Sequence, residues 1–181
     1  MLLLEVGPEV LFRCAEEAGA TGYNRFVRSL FDQNLLCPTW SEWKEGKQPP
    51  PLSVGLNFSS ADLSNRNWDG FDFRYAWLYR ANLSKCSLRQ TQLASIREAC
   101  LRGSDLRGAR FHLADLTGTD FTEAQLEGAS FCECSYSSRH PPIGLPSGVK
   151  SRCKAVTDAE PDEDVVAPSF NLIMVGRLAM V

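Results

Sequence analysis

Through the middle of the chain a large apolar residue returns at every fifth position. Phe58, Leu63, Trp68, Phe73, Leu78, Leu83, Leu88 and Leu93 form one series. Ile96, Leu101, Leu106, Phe111, Leu116, Phe121, Leu126 and Phe131 form a second. This period matches neither an α-helix nor a plain β-strand. Two positions before each large residue the side chain is usually small, as at Ala61, Ala81, Cys86, Ser104, Ala109 and Thr119. Immediately before it Asp or Asn is frequent: Asn57, Asp62, Asn67, Asp72, Asn82, Asp105, Asp115 and Asp120. Two positions after it glycine recurs, at Gly70, Gly103, Gly108, Gly118 and Gly128. Apolar residues two apart point the same way on an extended segment, and Gly and Asx residues supply a corner with a positive φ. The pattern predicts a short extended step, a turn, and another step, always with the same pair of side chains inside.

The units read ADLSN, ANLSK, SDLRG, ADLTG, TDFTE, AQLEG and ASFCE. They resemble the pentapeptide-repeat family, whose motif is A(D/N)LXX. The resemblance implies an all-β solenoid, a right-handed quadrilateral β-helix with four units per coil and therefore about four coils over residues 56–135. Adjacent coils are expected about 4.8 Å apart. Between Leu93 and Ile96 the spacing falls to three, so two residues are missing between coils two and three. Nothing is inserted there, so the expectation is a tightened corner with stacking unbroken. In the first coil Arg66 and Phe71 stand where small residues belong, and Trp68 occupies a centre. A narrow interior does not accept such bulk without strain, which predicts a widened first coil packed against the preceding segment.

Residues 1–48 are expected to form a short α-helical N-terminal cap. Pro8 suits a helix start and Gly19 a stop; Thr21 suits the start of a second helix striped by Phe26, Val27, Leu30 and Phe31. A cap is needed because open strand edges recruit other chains. Residues 49–55, opening on Pro49-Pro50-Pro51, read as a linker. Residues 136–181 read as a flexible C-terminal tail, with prolines, serines and an acidic run from Asp158 to Asp164. For its apolar last dozen residues three outcomes stay open: loose docking, a cap on coil four, or a homodimer contact.

Composition narrows the classes. The net charge of −3 gives no reason to expect nucleic acid or an anionic membrane surface as a partner. No apolar run approaches the roughly 20 residues that span a bilayer, and MLLLEVGPEV lacks a basic leader region. Seven cysteines at irregular spacing suit free thiols in a reducing, cytoplasmic setting. Cys132-Glu133-Cys134 lacks the second pair of ligands a zinc knuckle requires, so no metal and no cofactor is expected. His112 follows the centre Phe111 and should face solvent. His140 lies in the proline-rich segment, and neither has an evident partner. Cys86 and Cys134 take the small inward position, whereas Cys100 and Cys132 point outward. The Asp residues before the centres suit local backbone bonding better than acid–base work. Without a nucleophile–base pair, a carboxylate pair in a cleft or a metal, a non-enzyme is expected.

Two surface features remain. Tyr75, Trp77 and Tyr79 stand in outward phases between Arg74 and Arg80, a composition enriched at protein-binding hot spots, unless the N-terminal segment covers them. Coil four carries Asp115, Asp120, Glu123, Glu127 and Glu133 with no base, whereas coil three carries Arg97, Arg102, Arg107 and Arg110. Arginines reaching across to the acidic coil would form exposed ion pairs of about 0–1 kcal/mol each. The expected function is a non-enzymatic protein-interaction scaffold with a partner protein at the aromatic face. The resemblance also implies an alternative, a DNA-mimicking protein that binds topoisomerases and protects them from quinolones, with Asp115, Asp120, Glu123 and Glu127 as its face. The nearly balanced charge of residues 56–135 weighs against that alternative.

Overall fold

A computed structural model describes residues 2–5, 8–33, 56–157 and 172–175. The elements in order are β1 (Leu2–Glu5), α1 (Pro8–Asp32), β2 (Leu56–Asn57), β3 (Asp72–Trp77), β4 (Gln92–Ser95), β5 (Arg110–Asp115), β6 (Ser130–Cys132), β7 (Ser135–Ser137), α2 (Ser147–Lys150), β8 (Lys154–Val156) and β9 (Leu172–Val175). The centre of the molecule is a parallel β-solenoid of about five turns.

Parallel pairing defines its four faces. One face stacks Asn57, Trp77, Ser95, Asp115, Ser135 and Lys154. The next stacks Asp62, Asn82, Cys100, Asp120 and Ile143. A third stacks Asn67, Ser87, Asp105 and Gln125. The fourth stacks Asp72, Gln92, Arg110 and Ser130. The residue after each of these in the repeat is a centre, so the centres form internal columns such as Leu63, Leu83, Leu101 and Phe121. Each of those four is at most 1% exposed. At the small inward positions, hydroxyl and thiol groups donate to interior carbonyls. Thr91 bonds Leu88 O at 2.7 Å, Ser104 bonds Leu101 O at 2.6 Å, and Cys86 bonds Leu63 O at 3.0 Å. The hydroxyl and thiol groups at these inward positions are therefore satisfied.

The corners follow from the repeat as well. After a centre the chain closes an i→i+3 bond, for example Phe71 N to Trp68 O at 3.2 Å and Ala109 N to Leu106 O at 3.0 Å. The third residue of each such turn has positive φ, as a type II turn requires. Glycine fills that place at Gly70 and Gly103, but so do Ser60, Asn65, Arg80, Lys85, Gln90 and Glu98. All eight Asn and Asp residues before the centres accept an N–H from two residues on, for example Asp120 from Thr122 at 2.8 Å. These side chains are turn fasteners, as the sequence predicts.

The two-residue deletion is absorbed at one corner. In β4 only Ala94 separates Leu93 from Ser95, whereas Phe73–Trp77 and Phe111–Asp115 span it with three intervening residues above and below. Stacking continues across the break, as expected.

Two expectations need correction. The solenoid does not stop near residue 135, and residues 136–157 are not a flexible tail. Ser135–Ser137 stacks on Asp115, Ile143 pairs with Asp120, and Lys154–Val156 stacks on Ser135–Ser137. Leu145 and Cys153 are buried against coil four. This last stretch carries no pentapeptide motif, and Gly144 in it lies close against the backbone of Phe121 and Thr122. The acidic run from Asp158 lies outside the described residues, as do Trp40, Trp43 and the linker over residues 49–55. At the apolar C-terminus, β9 pairs antiparallel with β1, so Leu172–Val175 joins the other end of the same chain.

Candidate protein-binding surface

Helix α1 is two helical halves meeting at Gly19, whose φ of 63° and ψ of 176° break the helix where the sequence places a stop. The second half docks on coil one. Tyr23 is 2% exposed and packs its ring 5.2 Å from Phe71 and 5.5 Å from Phe73. Trp68 meets Phe71 edge-on at 5.1 Å. The first coil is thus wide and aromatic and is closed by the helix. The Asn24 amide donates to Gly70 O at 2.9 Å and accepts from Asp72 N at 2.8 Å. Arg66, too large for the interior, turns out to Glu16 at 3.0 Å. Burial raises the Tyr23 hydroxyl well above its usual range, with the Asp72 charge adding to it.

This docking leaves a cleft of about 330 Å³ between α1 and coil one, lined by Asn24, Val27, Arg28, Phe31, Asp72, Arg74 and Tyr75. β3 spans all six residues of this side, as β5 does two coils on, and Tyr75 in it stands at the rim of the cleft. Its ring lies 5.7 Å from Phe31, which is 56% exposed. The Arg74 guanidinium holds Asp72 through two bonds of 2.9 and 2.6 Å and lies 5.8 Å from the Tyr75 ring centre. Val27, Phe31 and Tyr75 give the cleft an apolar side, while Asn24, Arg28 and the Asp72–Arg74 pair make the rest of its lining polar.

The five residues singled out from sequence do not form one patch. Arg74 and Tyr75 line the cleft. Tyr79 and Arg80 form a second group, with the Arg80 guanidinium 4.7 Å from the Tyr79 ring and 2.7 Å from Glu98. Trp77, expected to face outward, is 2% exposed and is withdrawn as a contact residue. Ser95 and Asp115, stacked on the same face, are buried too. An outward phase on that face is a covered position, and a covered position suits an indole, which favours burial. Conversely Phe31, assigned from sequence to a buried stripe, is exposed. The helix ends one residue later, and its stripe outruns the coil beneath.

The acidic face is less free than its composition implies. Asp115 is 7% exposed, bonds the Thr117 N–H and lies 4.0 Å from Arg97. Asp120 is held below the usual carboxylate range by its bonds to Thr122. Glu123 pairs with Arg102 at 3.3 Å. Coil-to-coil pairs recur at Arg80–Glu98 and Arg89–Asp105. Glu127 remains exposed.

The model of the family described as Pentapeptide repeats matches eight copies, over residues 57–93 and 94–135. The solenoid is a pentapeptide-repeat domain. Similar solved structures include the pentapeptide repeat protein Rfr23 from the cyanobacterium Cyanothece 51142, at 23% identity over 54% of this chain and 67% of that one, with a TM-score of 0.46. A pentapeptide repeat protein from Nostoc Pcc 7120 is 26% identical over 64% of this chain and 91% of that one, with a TM-score of 0.32. HetL from Nostoc sp. Strain PCC 7120 is 28% identical over 54% of this chain and 44% of its own, with a TM-score of 0.24. The sequence matches no curated protein.

The interior of the regular coils of the pentapeptide-repeat domain is filled by its centres and small residues. Burial pushes the inward Cys134 thiol up to about 12 and the inward Cys86 thiol upward as well. The six described cysteines are all free. Among the described residues no helix is long and apolar enough to cross a membrane.

Proposed function

We propose that this pentapeptide-repeat protein is a non-enzymatic scaffold that binds a partner protein in the cleft between α1 and coil one. One observation carries the reading: Phe31 stands exposed against Tyr75 beside a cleft whose lip holds Arg74 in a fixed pose. An exposed phenylalanine next to a tyrosine and an arginine has the composition of a binding hot spot. Arg74, already positioned by Asp72, loses little freedom when a partner's carbonyl or carboxylate reaches it. The site suits a protruding apolar side chain flanked by an acceptor. Tyr79 and Arg80 form a separate group beside Glu98 and are not part of this site. The acidic-face alternative has less support, because Asp115 is buried and Glu123 is paired with arginine.

The test is affinity capture from a lysate of the source cells with the intact chain and with a Phe31→Ser, Tyr75→Ala double variant. Both changes are at the rim, so the fold is expected to survive. The reading predicts a specific protein that the intact chain retains and the double variant loses. Retention of the same protein by both would remove the cleft as its site.

A further inference from the structure

Stacking of coils brings together a set of donors that lie twenty residues apart in sequence. His112 in β5 pairs in register with Cys132 in β6, and Glu133 follows Cys132 directly. Glu133 has a φ of 56°, a left-handed turn that brings its carboxylate beside the thiol, with Cys132 Sγ 3.9 Å from Glu133 Oε1. One imidazole nitrogen, the sulfur and one carboxylate oxygen all lie within 4.8 Å of one another, and all three residues are exposed. Donors around a tetrahedral zinc ion, at bond lengths near 2.0–2.3 Å, stand roughly 3.3–3.8 Å apart. Small rotations of exposed side chains close the remaining gap.

We propose that His112, Cys132 and Glu133 form a surface site for a zinc-class divalent cation. The donor set selects that class. A mixed nitrogen, sulfur and oxygen set suits zinc or cobalt, whereas magnesium and calcium take oxygen ligands. The neighbouring Cys134 is not a ligand, because its sulfur points inward to Phe111 O at 3.3 Å. The solenoid's packing does not require these three residue types, since each projects from the surface after a centre that already fills the interior. Three protein donors leave one coordination position open, to water or to a further donor. A bound cation would clamp coil three to coil four beside the end of the regular repeat.

The experiment is a titration of the full chain with Co²⁺, followed by displacement with Zn²⁺. Near-ultraviolet absorption reports a sulfur–cobalt bond directly. The proposal predicts one equivalent of Co²⁺ with a thiolate charge-transfer band that Zn²⁺ abolishes. Cys132→Ser should remove the band. His112→Ala and Glu133→Gln should each weaken binding by about tenfold or more, since even loss of a ligand's supporting partner costs that much. Cys100→Ser should leave binding unchanged. A band that survives Cys132→Ser, or no band with Co²⁺ in excess, would overturn the site.

Discussion

Coil one and coil three perform the same turn geometry with different interiors. Coil three is narrow: Ile96, Leu101, Leu106 and Phe111 alternate with Ala99, Ser104 and Ala109, and all are buried without outside help. Coil one places Phe58, Leu63, Trp68 and Phe73 at the centres and Phe71 at a small position, and it is closed by Tyr23 from α1. The difference shows what the five-residue repeat can specify. It specifies a coil that has neighbours on both sides. An end coil must also cover an open edge, and its residues are chosen for that. The surface at the covered end is where two elements meet, and the cleft lies between them.

The comparison breaks most severely if the regular interior is charged. Leu106→Asp places a carboxylate where exposure is 0% and should abolish the folded state, whereas Arg107→Ala on the surface should leave the urea midpoint nearly unchanged. Circular dichroism of the two variants checks this. At the C-terminal end, Gly144→Ala should cost about 1–3 kcal/mol. The added Cβ would stand 2.6 Å from Thr122 N, at a φ of 71°. The measure is a fall in the thermal midpoint. At the N-terminal end, Asn24→Ala leaves Gly70 O and Asp72 N without their partner and should cost about 1–3 kcal/mol. Proteolysis should then release α1 before the coils open.

A weaker lever is pH. Asp105 is held low by its bonds to Arg107, and Asp120 by Thr122. A depressed folded-state pKa gives stability that is present above the unfolded value near 3.9 and is lost as pH falls through the folded value. The urea midpoint should therefore drop below about pH 4, and drop less in Asp120→Asn, which keeps an acceptor but does not titrate. The smallest expected effect is at the corners. Lys85→Gly removes a left-handed lysine at φ 56° and should be neutral or stabilising by under about 1 kcal/mol.

The sequence reveals the parts of the molecule whose physics is local. Every Asx fastener, the inward columns and the tight corner after Leu93 follow from positions a few residues apart. The wide first coil was also legible, because Trp68 and Phe71 are visibly too large. Three things were not. Trp77 has an outward phase, and phase reports direction, not what lies over that face. The last stretch follows no repeat, so no spacing marks Gly144 or Leu145. His112 and Cys132 are neighbours only through stacking, since one coil separates them in the chain.

The central claim is that the cleft beside coil one is the surface that meets a partner. The most direct measurement is site-specific photo-crosslinking in the source cells, with the probe at position 31 and, separately, at position 127 on the acidic coil. The account predicts a discrete crosslinked protein from position 31 that Tyr75→Ala diminishes, and none from position 127. A discrete product from position 127 alone would contradict it and move the binding surface to the opposite end of the solenoid.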